Sequence, residues 1–319
     1  MSYSIPWNVE EAALLGHAKE DVAYVAGGTD LMVRQSLGLE SAKHLIDLSK
    51  ISELRGITLK DENLSIGAAT TLAELASNSI IQTTFPALAE AALSIASPPI
   101  RNSATVGGNL LCENRCIYYD QSEFWQSAAG GCLKCGAEVC IATGSAKQCY
   151  SVFISDLAPV LICLDAYVEI LHHSPKPIEA LYTGDGLNPL TISKRDILTR
   201  IVIPMPFIQN ELDAPQIFFQ KHRPRASVDF TNLTVAMRRT NNGITIAASG
   251  IGPAPAVLRN DTTDDPNLLA ARLLKQSKII DNLSYRRTYR KEMLIETIRR
   301  GAVFVVELLD RQFENHFPN

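Results

Sequence analysis

The stretch Ala23-Tyr-Val-Ala-Gly-Gly-Thr-Asp-Leu-Met-Val-Arg-Gln-Ser-Leu37 decides how this chain folds. Ala23 to Ala26 reads as a short strand, Gly27-Gly28-Thr29 breaks it, and Asp30 to Leu37 reads as a helix. That order leaves backbone N–H groups free at a helix N-terminus, and glycine lets a ligand approach them closely. The turn suits a phosphate, although a plain tight turn uses the same residues. No G-x-G-x-x-G follows the strand, so the fingerprint of nicotinamide dinucleotide sites is not met. His44-Leu-Ile-Asp-Leu48 reads as a second strand, and a helix between two strands predicts a small parallel βαβ unit. Upstream, Asn8 with Glu11 three residues on predicts a capped helix start, with Val9, Ala12, Ala13 and Leu15 on its buried face.

From Ile57 the texture changes to short strands, Ile57-Thr-Leu59 and Leu64-Ser-Ile-Gly-Ala68. Thr71-Leu-Ala-Glu74 is a capping box, and Phe85 to Ala96 reads as a helix stopped by Pro98-Pro99. Ala104-Thr-Val-Gly-Gly-Asn-Leu110 then repeats the glycine-pair turn. Two such turns in separate lobes suit the two phosphates of one dinucleotide. Tyr167 to Leu171 and Ile197 to Ile203 read as strands, the second ending at Pro204 and Pro206. Ile217 to Lys221, Val228 to Met237 and Ile244 to Ser249 predict a further small sheet. A helix from Asp264 to Leu274 follows, then a long helical pattern from Tyr285 to Phe313 interrupted only by Gly301. The expected class is α+β. A small parallel βαβ lobe (1–56) is followed by a larger mixed or antiparallel lobe (57–208) and a C-terminal α+β unit (209–319).

Across 319 residues, 30 basic and 34 acidic side chains leave a net charge of −4, which does not suggest a nucleic-acid binder. No apolar run reaches a membrane span and the first residues lack a basic, apolar leader, so a cytoplasmic protein is expected. There, seven cysteines, five of them between 116 and 149, argue for a metal or cluster rather than disulfides. Cys116, Cys132, Cys140 and Cys149 follow the pattern C-x15-C-x7-C-x8-C. Cysteine thiolates hold both structural zinc and iron–sulfur clusters. Cys132-x-x-Cys135 is a zinc-like pair, and the spacing alone leaves zinc and a cluster equally open. Cys112 and Cys163 read as small buried apolar residues. Tyr118, Tyr119, Phe124 and Trp125 are expected to form a small core for the cysteine stretch. The run Lys221-His222-Arg223-Pro-Arg225 reads as a solvated basic surface or a dock for an acidic partner.

Six motifs occur in order: Ala26-Gly-Gly-Thr-Asp-Leu31, Ile66-Gly-Ala-Ala-Thr-Thr71, Ala104-Thr-Val-Gly-Gly-Asn-Leu110, Ser155-Asp-Leu-Ala-Pro159, Gly250-Ile-Gly-Pro-Ala-Pro255 and Ser284-Tyr-Arg-Arg287. The ordered set resembles the FAD-binding subunits of the molybdenum hydroxylases, such as the medium subunit of carbon monoxide dehydrogenase and the flavin domain of xanthine dehydrogenase. About forty residues separate the second glycine-pair turn from Ser155, where most relatives need a few. This insertion, at about 112–152, resembles that of the β subunit of 4-hydroxybenzoyl-coenzyme A reductase, which carries an additional 4Fe-4S cluster. Arg115-Cys-Ile-Tyr-Tyr-Asp-Gln-Ser-Glu-Phe-Trp125 and the cysteine spacing carry that likeness.

The resemblance implies that Gly27, Gly28, Thr29 and Asp30, with Gly107, Gly108 and Asn109, line the FAD pyrophosphate mainly through backbone N–H groups. It implies that Thr105 also touches the cofactor and that Asp156, otherwise a helix cap, lies near the flavin and ribityl. Leu198 becomes an apolar contact to the ring system, and Lys221 a basic residue near the isoalloxazine. Cys116, Cys132, Cys140 and Cys149 become the cluster ligands, with Cys135 spare. The implied partners are a molybdopterin-binding large subunit and a 2Fe-2S small subunit, in a dimer of heterotrimers, with a ferredoxin-like donor or acceptor. The implied role is electron transfer in reductive aryl dehydroxylation. One alternative is the FAD subunit of an oxidative molybdenum hydroxylase with a metal-stabilised docking loop; another is a stand-alone FAD oxidase. No catalytic acid–base pair is legible in the sequence.

Overall fold

The computed structural model describes residues 2–60, 62–205, 215–225, 228–240, 242–262 and 265–316. The first lobe contains β1 (Ser2–Ser4), α1 (Val9–Ala18), β2 (Val22–Val25), α2 (Leu31–Ser36) and β3 (His44–Asp47). Its strands lie in the order β1-β3-β2, all parallel, as a βαβ unit requires. β1 is an addition to the expected pair, because three residues are too few to show a period. α1 starts where its cap predicts: the Glu11 N–H donates to Asn8 Oδ1 at 2.8 Å. Val9, Ala12 and Ala13 pack with Ile46 and Ile51 beneath the helix.

The second lobe opens with β4 (Ile57–Lys60) and β5 (Asn63–Gly67). Short helices follow: α3 (Leu72–Ser77), α4 (Ser79–Thr84), α5 (Pro86–Leu93), α6 (Pro98–Arg101) and α7 (Val106–Leu110). The capping box of α3 is complete, with Thr71 N–H donating to Glu74 at 2.8 Å and Glu74 N–H to the Thr71 hydroxyl at 3.1 Å. The helix expected to reach Ala96 stops at Leu93, and Pro98-Pro99 opens a new turn. Proline is tolerated there because the first turn does not use its missing N–H. α8 (Glu123–Ala128) lies in the cysteine stretch, and α9 (Leu157–Cys163) follows it. β6 (Tyr167–Ile170), β7 (Lys176–Pro177) and β8 (Leu198–Pro204) complete an antiparallel sheet ordered β4-β5-β8-β6-β7.

The last part is an antiparallel meander of β9 (Ile217–His222), β10 (Leu233–Thr240), β11 (Gly243–Ser249) and β12 (Ala256–Asp261), backed by α10 (Pro266–Gln276) and α11 (Arg287–His316). α11 runs unbroken through Gly301. A Cβ there would lie 2.8 Å from Met237 Sδ, so glycine is what lets the helix rest on the sheet. β10 starts five residues later than the expected Val228. The expected boundary at 208/209, with Pro206 and the helix start at Asp264, lies outside the described residues. The meander is docked on the second lobe: Ala236 and Ala247 share one apolar core with Leu157, Val160 and Leu161 of α9. Among the described residues no helix is long and apolar enough to cross a membrane.

Candidate functional site

The two glycine-pair turns meet. A Cβ on Gly27 would lie 2.0 Å from the Ser103 carbonyl oxygen and 3.0 Å from Ala104 Cα, so the contact needs glycine. Gly28 adopts φ +66°, the left-handed region, with half-buried Thr29 beside it. In the second turn Thr105 caps α7, its hydroxyl accepting from Gly108 N–H at 3.1 Å, while Gly107 N–H donates to Ala68 O at 2.8 Å. Leu198 backs this turn: a Cβ on Gly107 would be 3.3 Å from its Cδ2. Asn109 Oδ1 accepts from the Ser155 hydroxyl at 2.7 Å and so ties the turn to the head of α9.

Ser155, not Asp156, caps α9: its Oγ accepts from Ala158 N–H at 3.1 Å, and Asp156 makes no side-chain cap bond. The Asp156 carboxylate instead takes Lys221 Nζ at 2.6 Å on one oxygen and the Thr234 hydroxyl at 2.5 Å on the other. Thr231 supports Thr234 at 2.7 Å, and Lys221 also donates to Ser94 O at 3.0 Å. Both side chains of the ion pair are 5% exposed. Burial pushes the Asp156 carboxyl up, while the Lys221 ammonium and the Thr234 hydroxyl act against that rise. This corrects the reading of residues 221–225 as solvated surface. Lys221 is buried, and His222 meets the Thr297 hydroxyl at 2.8 Å. Arg223 donates to Ser94 O at 3.2 Å, whereas Arg225 is exposed and pairs with Asp229. The Lys221 ammonium is drawn inward because a carboxylate is already buried there.

Sequence reasoning missed Arg115 as a partner of the first turn. Its guanidinium pairs with the Asp30 carboxylate and lies 4.9 Å from the centroid of the Phe230 ring. Eighty-five positions separate the two charges, and no local pattern signals such a pair. Cys112 sits among these groups. Burial pushes its thiol up to about 12, and it feels the charges of Asp30, Arg115 and Asp156. The Asp30–Arg115 pair and Asp156 thus lie within electrostatic reach of Cys112.

In the insertion, Cys116, Cys132, Cys140 and Cys149 are buried and Cys135 is exposed. Burial pushes the Cys116 thiol up to about 11, with Cys132 and Cys149 close enough to add to the rise. Four buried sulfurs suit a cluster or zinc in donor type and number. Among the described residues, however, no group of three or more His, Cys, Asp or Glu side chains is gathered to hold a metal ion. Tyr119 packs against Cys116 and Cys132. Phe124, 84% exposed, does not join the small core expected of it, whereas Trp125, 37% exposed, sets its ring 6.4 Å from that of Tyr118, which packs on that core. Gln126 takes the inward place on α8, donating to Tyr119 O at 2.8 Å. The insertion is tied down at its roots. Arg115 and Val152 exchange backbone bonds of 2.8 and 2.7 Å. Asn282 accepts from Ile117 N–H at 3.1 Å and donates to Tyr150 O at 2.6 Å. Cys163, in α9, is fully buried as expected.

This arrangement is that of a dinucleotide-binding flavoprotein fold. The chain belongs to the family described as FAD binding domain in molybdopterin dehydrogenase, which matches residues 1–206. It is 43% identical over 109 residues to the carbon monoxide dehydrogenase medium chain of Hydrogenophaga pseudoflava, covering 34% of this chain and 38% of that one. It is 48% identical over 87 residues to the xanthine dehydrogenase FAD-binding subunit of Escherichia coli O157:H7, covering 27% of this chain and 30% of that one. These matches span only about a third of the length of the curated relatives. In fold, the chain is similar to a chain of carbon monoxide dehydrogenase from Hydrogenophaga pseudoflava lacking the Mo-pyranopterin moiety. That likeness has a TM-score of 0.69 at 20% identity, over 97% of this chain and 98% of that one. The α+β class expected from the sequence is the class observed.

Proposed function

We propose that this chain is the flavin-bearing, electron-transferring subunit of a multi-subunit molybdenum dehydrogenase, with substrate chemistry on a partner subunit. The meeting of two glycine-pair turns beside a buried Asp156–Lys221 pair carries the reading, within a family of FAD-binding domains. Bound FAD supplies exchange of one or two electrons. Gly27, Gly28, Thr29 and Asp30, with Thr105, Gly107, Gly108 and Asn109, hold the pyrophosphate. Leu198 shields the ring system from water. Asp156 and Lys221 lie toward the flavin, where the ammonium favours negative charge on the ring. The xanthine and carbon monoxide dehydrogenase relatives favour the oxidative reading. To it we assign a large molybdopterin-binding and a small 2Fe-2S partner, in a cytoplasmic dimer of heterotrimers. Within the chain we assign lobes 1–56 and 57–208 to FAD and 209–319 to support. Titration of the apo chain with FAD tests this. One FAD per chain, lost in Gly27→Ala, is the expected result. Oxidation of a small substrate by the isolated chain would instead revive a stand-alone oxidase.

A second reading rests on the insertion. Four of the five cysteines between 116 and 149 are buried, and they are the four whose spacing resembles 4-hydroxybenzoyl-coenzyme A reductase. We assign Cys116, Cys132, Cys140 and Cys149 to a 4Fe-4S cluster, with reductive aryl dehydroxylation on the partner and a ferredoxin-like carrier as electron donor or acceptor. Anaerobic purification followed by iron, sulfide and zinc analysis separates the two readings. About four irons and four sulfides per FAD support the cluster. Zinc without sulfide leaves a metal-stabilised docking loop on an oxidative enzyme.

A further inference from the structure

We propose that Arg115 is a cofactor-binding residue: the cation that the cysteine insertion contributes to the FAD pyrophosphate. The inference rests on the FAD reading above and adds a residue to that site. The groups assigned to the pyrophosphate include one carboxylate, Asp30, and no cation. Two phosphate charges beside an unneutralised carboxylate repel it, and backbone N–H groups offset only part of that repulsion. Arg115 stands where the missing charge is needed. Its Nη2 pairs with Asp30 Oδ1, which uses one nitrogen of a planar fork whose five N–H donors match phosphate oxygens.

The position is built rather than incidental. The Arg115 side chain is 12% exposed and that of Asp30 is 32% exposed, so the cation lies deeper than the acid it meets. One face of the guanidinium is covered by Phe230. The Arg115 backbone is held by the two-way bonds to Val152, so little freedom is left to lose on binding. Arg115 immediately precedes Cys116, and Val152 lies three residues past Cys149. The order of the insertion and the affinity for FAD are thereby linked through one side chain.

The test is FAD titration of the full-length apo chain, followed by fluorescence quenching, for wild type, Arg115→Gln, Asp30→Asn and the double variant. Loss of a charge-assisted fork predicts roughly ten- to hundredfold weaker FAD binding in Arg115→Gln, with the same loss in the Asp30→Asn background. The dependence of binding on sodium chloride should also become shallower. If Arg115→Gln does not fold, Arg115→Lys carries the test: several-fold weaker binding is expected, because the ammonium keeps the charge and loses the fork. Unchanged affinity in the folded variant overturns the inference. So does a loss that disappears in the Asp30→Asn background, since Arg115 would then serve only to offset Asp30. A wild-type chain that binds no FAD defeats the FAD reading itself, a result distinct from either.

Discussion

α9 and the cysteine insertion adjoin in the sequence and both bury cysteines, but they are held in opposite ways. All seven residues of α9 are buried and none carries a charged side chain, so apolar area dominates its hold between the second-lobe core and the meander, with Arg238 donating to Cys163 O at 3.1 Å at its end. The insertion has one six-residue helix, exposes Ile117, Phe124 and Val139, and has an apolar cluster of only Cys116, Tyr119 and Cys132 with Leu39 and Tyr118 packed on it. Its ties are polar: Arg115 to Asp30, Lys134 to Glu113, Arg34 to the Tyr119 hydroxyl, and Asn282 across both roots. A segment with so little apolar burial depends on fixed donors and crosslinks for its order. Apolar area gives α9 most of its hold; the insertion borrows its place from three neighbours and, on the proposed function, from a ligand.

The largest effect expected from this contrast is on Cys140→Ser. On the cluster reading it should reduce iron from about four per chain to near none and expose the insertion to protease, while FAD stays bound. If flavin and iron vanish together, the insertion is also needed for folding and the contrast breaks. Next is Lys221→Met. Removing one partner of a buried ion pair costs about 3–5 kcal/mol, read by urea unfolding. Burial holds the Asp156 carboxyl above its ordinary 3.8, so the folded state binds that proton more tightly than the unfolded state. Stability tied to this group is therefore greatest below 3.8 and falls as pH rises through the raised value. Without Lys221 that fall should steepen, making the variant relatively more stable near pH 4 than near pH 7. Leu161→Ala in α9 should cost about 2–5 kcal/mol and leave iron content unchanged. Asn282→Ala should cost about 1 kcal/mol globally yet accelerate proteolysis within residues 117–148.

The parts of the fold that were legible in the sequence are those whose partners sit within a few residues. Asn8 with Glu11 and Thr71 with Glu74 are caps with both ends in view. The glycine pairs are legible because nothing with a Cβ fits at Gly27, although their mutual contact is not, since Ser103 is 76 positions away. Asp156 and Lys221 stand out one by one through family likeness. Their pairing spans 65 positions and depends on how the meander docks, which no local pattern encodes. The same docking explains why a basic run that looks solvated is largely covered. Phe124 misleads for a different reason: a six-residue helix is too short for its apolar residues to define a face, so Gln126 can turn inward and donate to Tyr119 O.

The smallest effect concerns acid, and it separates the two regions by the sign of their titrations. His222 lies at the edge of the meander with its Nε2 2.8 Å from the Thr297 hydroxyl. Burial, with the charge of Arg300 adding to it, holds the imidazole below its ordinary 6.5. The folded state therefore keeps His222 neutral where the unfolded chain has already bound a proton. Its contribution to stability is fully present above pH 6.5 and is lost as pH falls from there through the lowered value. In the insertion, burial moves the Cys116 thiol the other way, upward to about 11. Urea unfolding at pH 7 and pH 5 should show a loss of under about 1 kcal/mol from this group, and His222→Gln should remove that increment. An equal loss in the variant would mean that acid acts elsewhere, and that the meander is no more acid-sensitive than the insertion beside it.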